Sequence, residues 1–242
     1  MANPYFHFKM FTVWHDKCAM KVGTDGVLLG TWATVFSEDK SFSVIDVGSG
    51  TGLIAMIIAQ RNSNAVIDAI DIDKNACEQA IGNIDKSPFR GRINVIHKSF
   101  IEYSTEKKYD LIISNPPFFS NSLRCPDEKR NMARHNDSLP LKQLIEQAMV
   151  MLSEIGRIAM ILPTILSREI DFIIATHRLF AVRMTEIIPA EGLQSKRFLI
   201  EISTKNNTEK NVNGKTIDAL ILETKDHKRT QQYAELTKEF YL

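Results

Sequence analysis

A short apolar run at residues 43–47 passes directly into Gly48-Ser49-Gly50-Thr51-Gly52 and then into a second apolar segment, residues 53–60. The first run has the length of a buried strand and the second reads as a helix, so the glycines must turn the chain between them. A strand, a tight turn and a helix begin a strand–helix–strand unit, which leads to a parallel sheet. The chain then repeats that alternation. Residues 65–70, 93–96, 109–114 and 157–162 read as further strands. One helix is expected from about Asn75, where Ala76, Cys77, Ala80, Ile81 and Ile84 recur at helical spacing behind a capping Asp73. Others are expected from Pro140 and from Pro163 to about Thr176. The tail adds strand candidates at 179–188, 196–203 and 217–223, the last after a polar surface excursion at 204–215. A final helix would carry Tyr233, Leu236 and Phe240 on one face. The expected fold is α/β: a mostly parallel seven-stranded sheet with an antiparallel late strand and helices on both faces.

Charge narrows the function classes. Lys plus Arg total 30 against 29 Asp plus Glu, so no global polyanion binding is indicated, although a local basic patch remains open. Cys18, Cys77 and Cys125 are odd in number and widely spaced, which suggests neither a disulfide framework nor a metal site. The apolar runs fall short of a membrane span and no targeting peptide is evident, so the cytoplasm is the expected location.

Parallel sheets bind ligands beyond the carboxyl ends of their strands, and two candidate sites fall there. In the glycine turn, Gly48 and Gly50 allow close approach of a ligand to the backbone. Asp71, ending the second strand, can accept hydrogen bonds from both hydroxyls of a ribose. Asp46 precedes the glycines, and its carboxylate would repel a diphosphate but favour a cation. The turn therefore suits a sulfonium cofactor, S-adenosylmethionine. The second site is Asn115-Pro116-Pro117-Phe118, which stiffens the chain after the fourth strand. The Asn115 side-chain oxygen and the Pro116 carbonyl can accept the two hydrogens of a planar amine, while Phe118 offers a stacking face.

These motifs resemble the class I S-adenosylmethionine-dependent methyltransferases of the N6-adenine branch. The segments 6–33, 44–61 and 110–119 and the terminal 239–242 look like bacterial enzymes that methylate a tRNA adenine, and the likeness spans nearly the whole chain. It implies that Asp46, Gly48, Gly50, Asp71, Ile72 and Asn115 line the cofactor and that residues 115–118 hold the target base. It also implies that residues 1–36 cap the cofactor side, with Lys21 and Thr24 at the cofactor, and that 37–242 form the methyltransferase domain. Gly23 and Gly26 would give that segment turning freedom. Where this family tends to have an Ala-Asp pair after the third strand, this chain has Lys98-Ser99, leaving Ser99 to accept the hydrogens of the cofactor's adenine. Phosphate contacts to tRNA are expected from Arg124, Lys129, Arg130, Arg134 and Arg197, and the enzyme is expected to be a monomer. Methylation of another RNA base or a protein glutamine, and non-catalytic RNA binding, stay open as alternatives.

Overall fold

Strand residues alternate between the two faces of a sheet, and here both faces are covered. The computed structural model describes residues 3–18, 21–36, 41–117, 139–205 and 217–242. Its main sheet contains β3 (Phe42–Val47), β4 (Ala65–Asp71), β5 (Ile93–His97), β6 (Tyr109–Ser114), β7 (Leu152–Pro163), β8 (Phe180–Ala190), β9 (Arg197–Ser203) and β10 (Ile217–Glu223). The spatial order is β10-β8-β9-β7-β6-β3-β4-β5. Every neighbouring pair is parallel except the two made by β9, which runs against β7 and β8. The expected seven strands with one antiparallel late member are present, and β10 extends the sheet at its β8 edge to eight.

Val44, Ile67, Leu111 and Ile113 pack on one face beneath α1 (Thr24–Trp32), α2 (Leu53–Arg61) and α3 (Lys74–Asp85). Ile45, Val47, Ile112 and Ile158 pack on the other, beneath α4 (Leu141–Met151) and α5 (Ser167–Thr176). A last helix, α6 (Gln231–Thr237), brings Tyr233 to the first of these cores. Helix α2 is buried from Leu53 to Ala59, which explains why its sequence is apolar on every side. The cap expected at Asp73 is formed: its Oδ1 accepts the Asn75 N–H at 2.8 Å.

The amino-terminal segment differs from expectation in two respects. Tyr5–His7 (β1) and Thr12–Trp14 (β2) form a separate antiparallel hairpin. Gly26 does not provide turning freedom, because it lies buried inside α1. A Cβ at Gly30, one turn on, would lie 2.9 Å from Ile57 Cγ2, so these glycines let α1 and α2 approach closely. The carboxyl end of α1 is then tied down. Arg61 donates to the carbonyls of Gly30 and Ala33, Arg183 donates to that of Trp32, and buried Glu201 accepts from Thr34 and Arg157.

Candidate active site

The strand register alone gathers three polar residues. Asp46 on β3 lies level with Ala69 on β4 and Ile113 on β6. Asp71 and Asn115 follow those partners by two residues, and a two-residue step returns a side chain to the same face. All three therefore belong to the face that carries Val44, Ala69 and Ile113, at the carboxyl edge of three adjacent strands. Neighbouring strands are about 4.8 Å apart, which places the β4 and β6 residues roughly 10 Å from each other across β3.

Between them lies the glycine turn. Gly48, Gly50 and Gly52 have φ of 70°, 54° and 78°, the left-handed region that glycine enters without penalty. A Cβ built on Gly48 or Gly50 would meet nothing within 4 Å, so the space above the turn is open. The Gly48 and Ser49 N–H groups both donate to the Ile70 carbonyl, fixing the turn against β4. Beneath it Asp46 is fully buried. Its Oδ2 accepts the Ala55 N–H at 3.1 Å in the first turn of α2, while Oδ1 has no partner. Burial pushes its pKa from the ordinary 3.8 to about 7, opposed by the Ala55 hydrogen bond and reinforced by Asp71. The Ser49 hydroxyl is also buried without a partner. A buried carboxylate oxygen and a buried hydroxyl thus stand unsatisfied beside an open glycine cradle. That donor set fits a cationic ligand with further hydrogen-bonding groups.

Asp71 is held rigidly. Its Oδ2 accepts the Gly50 N–H at 2.8 Å and its Oδ1 accepts the Asp73 N–H at 2.9 Å. Each oxygen keeps a second lone pair for a ligand hydroxyl. Ile72, the next residue, is 58% exposed, an apolar surface beside the carboxylate. Ser99 lies two residues past His97, the β5 partner of Asp71, and is partly exposed. Residues 14–18 run along α3 toward this corner: Trp14 exchanges two hydrogen bonds with Asn83, and the Lys17 N–H donates to Gln79. Cys18 arrives beside the carboxylates, where burial first and then Asp71 and Asp73 push its thiol up to about 11.

Asn115 is partly exposed, Pro116 buried and Pro117 exposed, so the motif leaves β6 with one proline in the core. Lys21 and Thr24 are exposed, with Thr24 opening α1. Arg197 is paired at 2.7 Å with Asp25, which fixes the start of α1 to the start of β9. Phe118, Arg124, Lys129, Arg130 and Arg134 lie outside the described residues. Among the described residues, no group of three His, Cys, Asp or Glu could hold a metal, and no helix is long and apolar enough to cross a membrane. Sequence reasoning missed Ser49 and the Asp25–Arg197 pair. The position of Ser49 between two glycines was a signal for the first, but nothing local announced the second.

The model of the methyltransferase small domain family matches residues 27–170. A protein of Parabacteroides distasonis named tRNA1(Val) (adenine(37)-N6)-methyltransferase is 48% identical over all of this chain and 99% of its own length. The chain belongs to this methyltransferase family. A Bacteroides thetaiotaomicron protein of the same name is 43% identical over the same shares. Among solved structures, a predicted O-methyltransferase of Agrobacterium tumefaciens aligns with TM-score 0.64 at 18% identity, covering 89% of this chain and 96% of that one. A class I methyltransferase structure from Listeria monocytogenes aligns with TM-score 0.56 at 14% identity, covering 81% of this chain and 61% of that one. These two likenesses establish the fold: a class I, Rossmann-like methyltransferase sheet.

Proposed function

We propose that this chain transfers a methyl group from S-adenosylmethionine to N6 of an adenine in tRNA, adenine 37 of tRNA1(Val). The observation that carries the reading is the common face of Asp46, Asp71 and Asn115 around an open glycine turn. The full-length relatives, named as tRNA1(Val) adenine-37 methyltransferases, support the substrate.

The cofactor, when bound, supplies an electrophilic methyl on a positively charged sulfur. Asp46 and the Ser49 hydroxyl would hold its polar, cationic end through their unsatisfied oxygens. Asp71 would accept from the ribose hydroxyls, and Ile72 and Ser99 would flank its adenine. Gly48 and Gly50 keep the approach clear. Residues 1–36 would cap this side, with Lys21 and Thr24 facing the ligand; the run of residues 14–18 toward Asp71 supports that role.

On the substrate side, an exocyclic amine is a weak nucleophile because its lone pair is shared with the ring. Asn115 Oδ1 and the Pro116 carbonyl would accept its two hydrogens and favour the positive charge that develops on nitrogen during transfer. Such acceptors orient the lone pair without a general base, which agrees with a site built from an amide and two prolines. Phe118 would stack on the base. The test supplies purified protein with labelled S-adenosylmethionine and, separately, bulk tRNA, rRNA, DNA or protein extract. Labelled N6-methyladenosine in tRNA alone is expected; label confined to protein or to another nucleoside would refute the reading.

A further inference from the structure

The polar residues that face the open glycine turn are held from behind by one peptide unit. Val47 ends β3, Ser114 ends β6, and the two lie level in the sheet. Ser114 is 1% exposed. It alternates with Ile113 and Asn115, so its side chain points to the face that carries Ile45, Val47, Ile112 and Met160. There its hydroxyl donates to the Val47 carbonyl at 2.8 Å. The same peptide unit carries the Gly48 N–H, which donates to the Ile70 carbonyl of β4 at 2.9 Å. A planar trans peptide directs its C=O and N–H to opposite sides. One flat unit therefore bridges β6 and β4 across β3. The next residues on those two strands are Asn115 and Asp71.

The backbone offers no substitute further along. Pro116 and Pro117 have no N–H, so they cannot continue the ladder from β6 to β3. Nor does stability account for a hydroxyl in this place. The net worth of one such bond is small, because the unfolded group bonds to water instead, and an apolar side chain would suit the same neighbours. What the hydroxyl contributes is position.

We propose that Ser114 is a positioning residue for methyl transfer: through the Val47–Gly48 peptide it fixes Asn115 relative to the glycine turn and Asp71. This rests on the reading above, in which Asn115 accepts from the target amine and Asp71 holds the cofactor. The base is then held from β6 and the methyl donor from β3 and β4, so their separation is set where these strands end. A displacement of about 1 Å in such an approach can cost about 10²-fold in rate. Removing the hydroxyl leaves in place every group that would touch either ligand and releases only the spacing. The loss should fall on turnover rather than on binding.

The test uses the full-length protein with labelled S-adenosylmethionine and a tRNA1(Val) transcript. It compares wild type with Ser114→Ala, Ser114→Thr, Asn115→Ala and the double variant of Ser114→Ala with Asn115→Ala. The measurements are kcat, KM for tRNA, cofactor Kd by calorimetry, and Tm. Ser114→Ala is expected to lower kcat about tenfold while KM and Kd stay within about twofold of wild type. Its Tm should fall by only about 2–4 °C. Ser114→Thr keeps the hydroxyl and should keep most of the wild-type kcat. On top of Asn115→Ala, the serine change should cost less than about twofold, because no amide remains to be positioned. Wild-type kcat in Ser114→Ala, beside an Asn115→Ala enzyme that has lost turnover, refutes the positioning role and leaves the reading of the amide standing. Equal losses in the alanine and threonine variants, or an undiminished loss on top of Asn115→Ala, assign the effect to packing and also refute it. A wild type that methylates no tRNA, or wild-type turnover in Asn115→Ala, overturns the underlying reading and the positioning role with it.

Discussion

Replacing Asp46 by Asn separates what this carboxylate does for the fold from what it does for the ligand. Its folded pKa of about 7 lies above the ordinary 3.8, so the folded state holds the proton more tightly than the unfolded chain. Stability therefore falls as pH rises from about 4 to about 7, while the unfolded group is ionised and the folded one is not, and levels off above that. Three pKa units at 1.36 kcal/mol each give a penalty of about 4 kcal/mol on the plateau. Asn has the same shape and no charge, and Ala55 keeps an acceptor. The variant should thus be nearly as stable as wild type at pH 4 and more stable by up to about 4 kcal/mol at pH 8. For a chain of this length that corresponds to a Tm rise of roughly 10 °C. Comparing the two proteins at each pH cancels every other titrating group. Cofactor binding should move oppositely. The variant should bind S-adenosylmethionine at least about tenfold more weakly, for want of a charged acceptor. Wild-type Kd should rise about tenfold for each pH unit below 7, where Asp46 must first lose its proton. A stability difference between the proteins that stays flat from pH 4 to pH 8 would show that Asp46 does not titrate near neutrality, and the argument for an ion waiting for its counter-charge would fail.

Asn115→Ala should retain cofactor affinity by calorimetry and lose turnover by about 10²-fold or more, the usual size of one lost transition-state acceptor; wild-type turnover would end the proposed role of the amide. Asp71→Ala should weaken cofactor binding and also loosen the glycine turn, since it removes the acceptor for Gly50 N–H; an unchanged Kd would remove the ribose contact. Gly30→Ala should lower stability by about 1–3 kcal/mol in chemical denaturation, because its methyl group would press on Ile57. Glu201→Ala should cost about 3–5 kcal/mol by stranding Arg157, with urea titration as the measure; a change below 1 kcal/mol would mean that water readily rescues the arginine.

What could be read from the sequence was what local chemistry dictates. The strands β3 to β7 carry apolar runs bounded by turn residues, and the glycine turn and proline motif advertise themselves by composition. Asp46, Asp71 and Asn115 follow from those, because each sits at a strand end. The misreadings share a different cause. Local permissiveness makes Gly26 look like a hinge, whereas its reason is the neighbouring α2, which only the folded chain provides. Strands β1 and β2 span three residues each, too few for periodicity to register. The tie between the start of α1 and the start of β9 was not legible either, because it is made by Arg197. Its partner Asp25 is 172 residues away in sequence, so no local pattern could have paired them. The β10 run was legible as a strand, but its place at the sheet edge depends on β8 having room for another parallel neighbour.

The two-residue steps that set Asp71 and Asn115 beyond their β3-level partners also limit how this enzyme can be altered. Surface loops can lengthen or shrink while the strand ends keep their phase, so new specificities can be grafted onto them. Deleting a single residue within β6 is another matter: it would swing the amide to the far side of the sheet, and no adjustment of the loop that follows could bring it back.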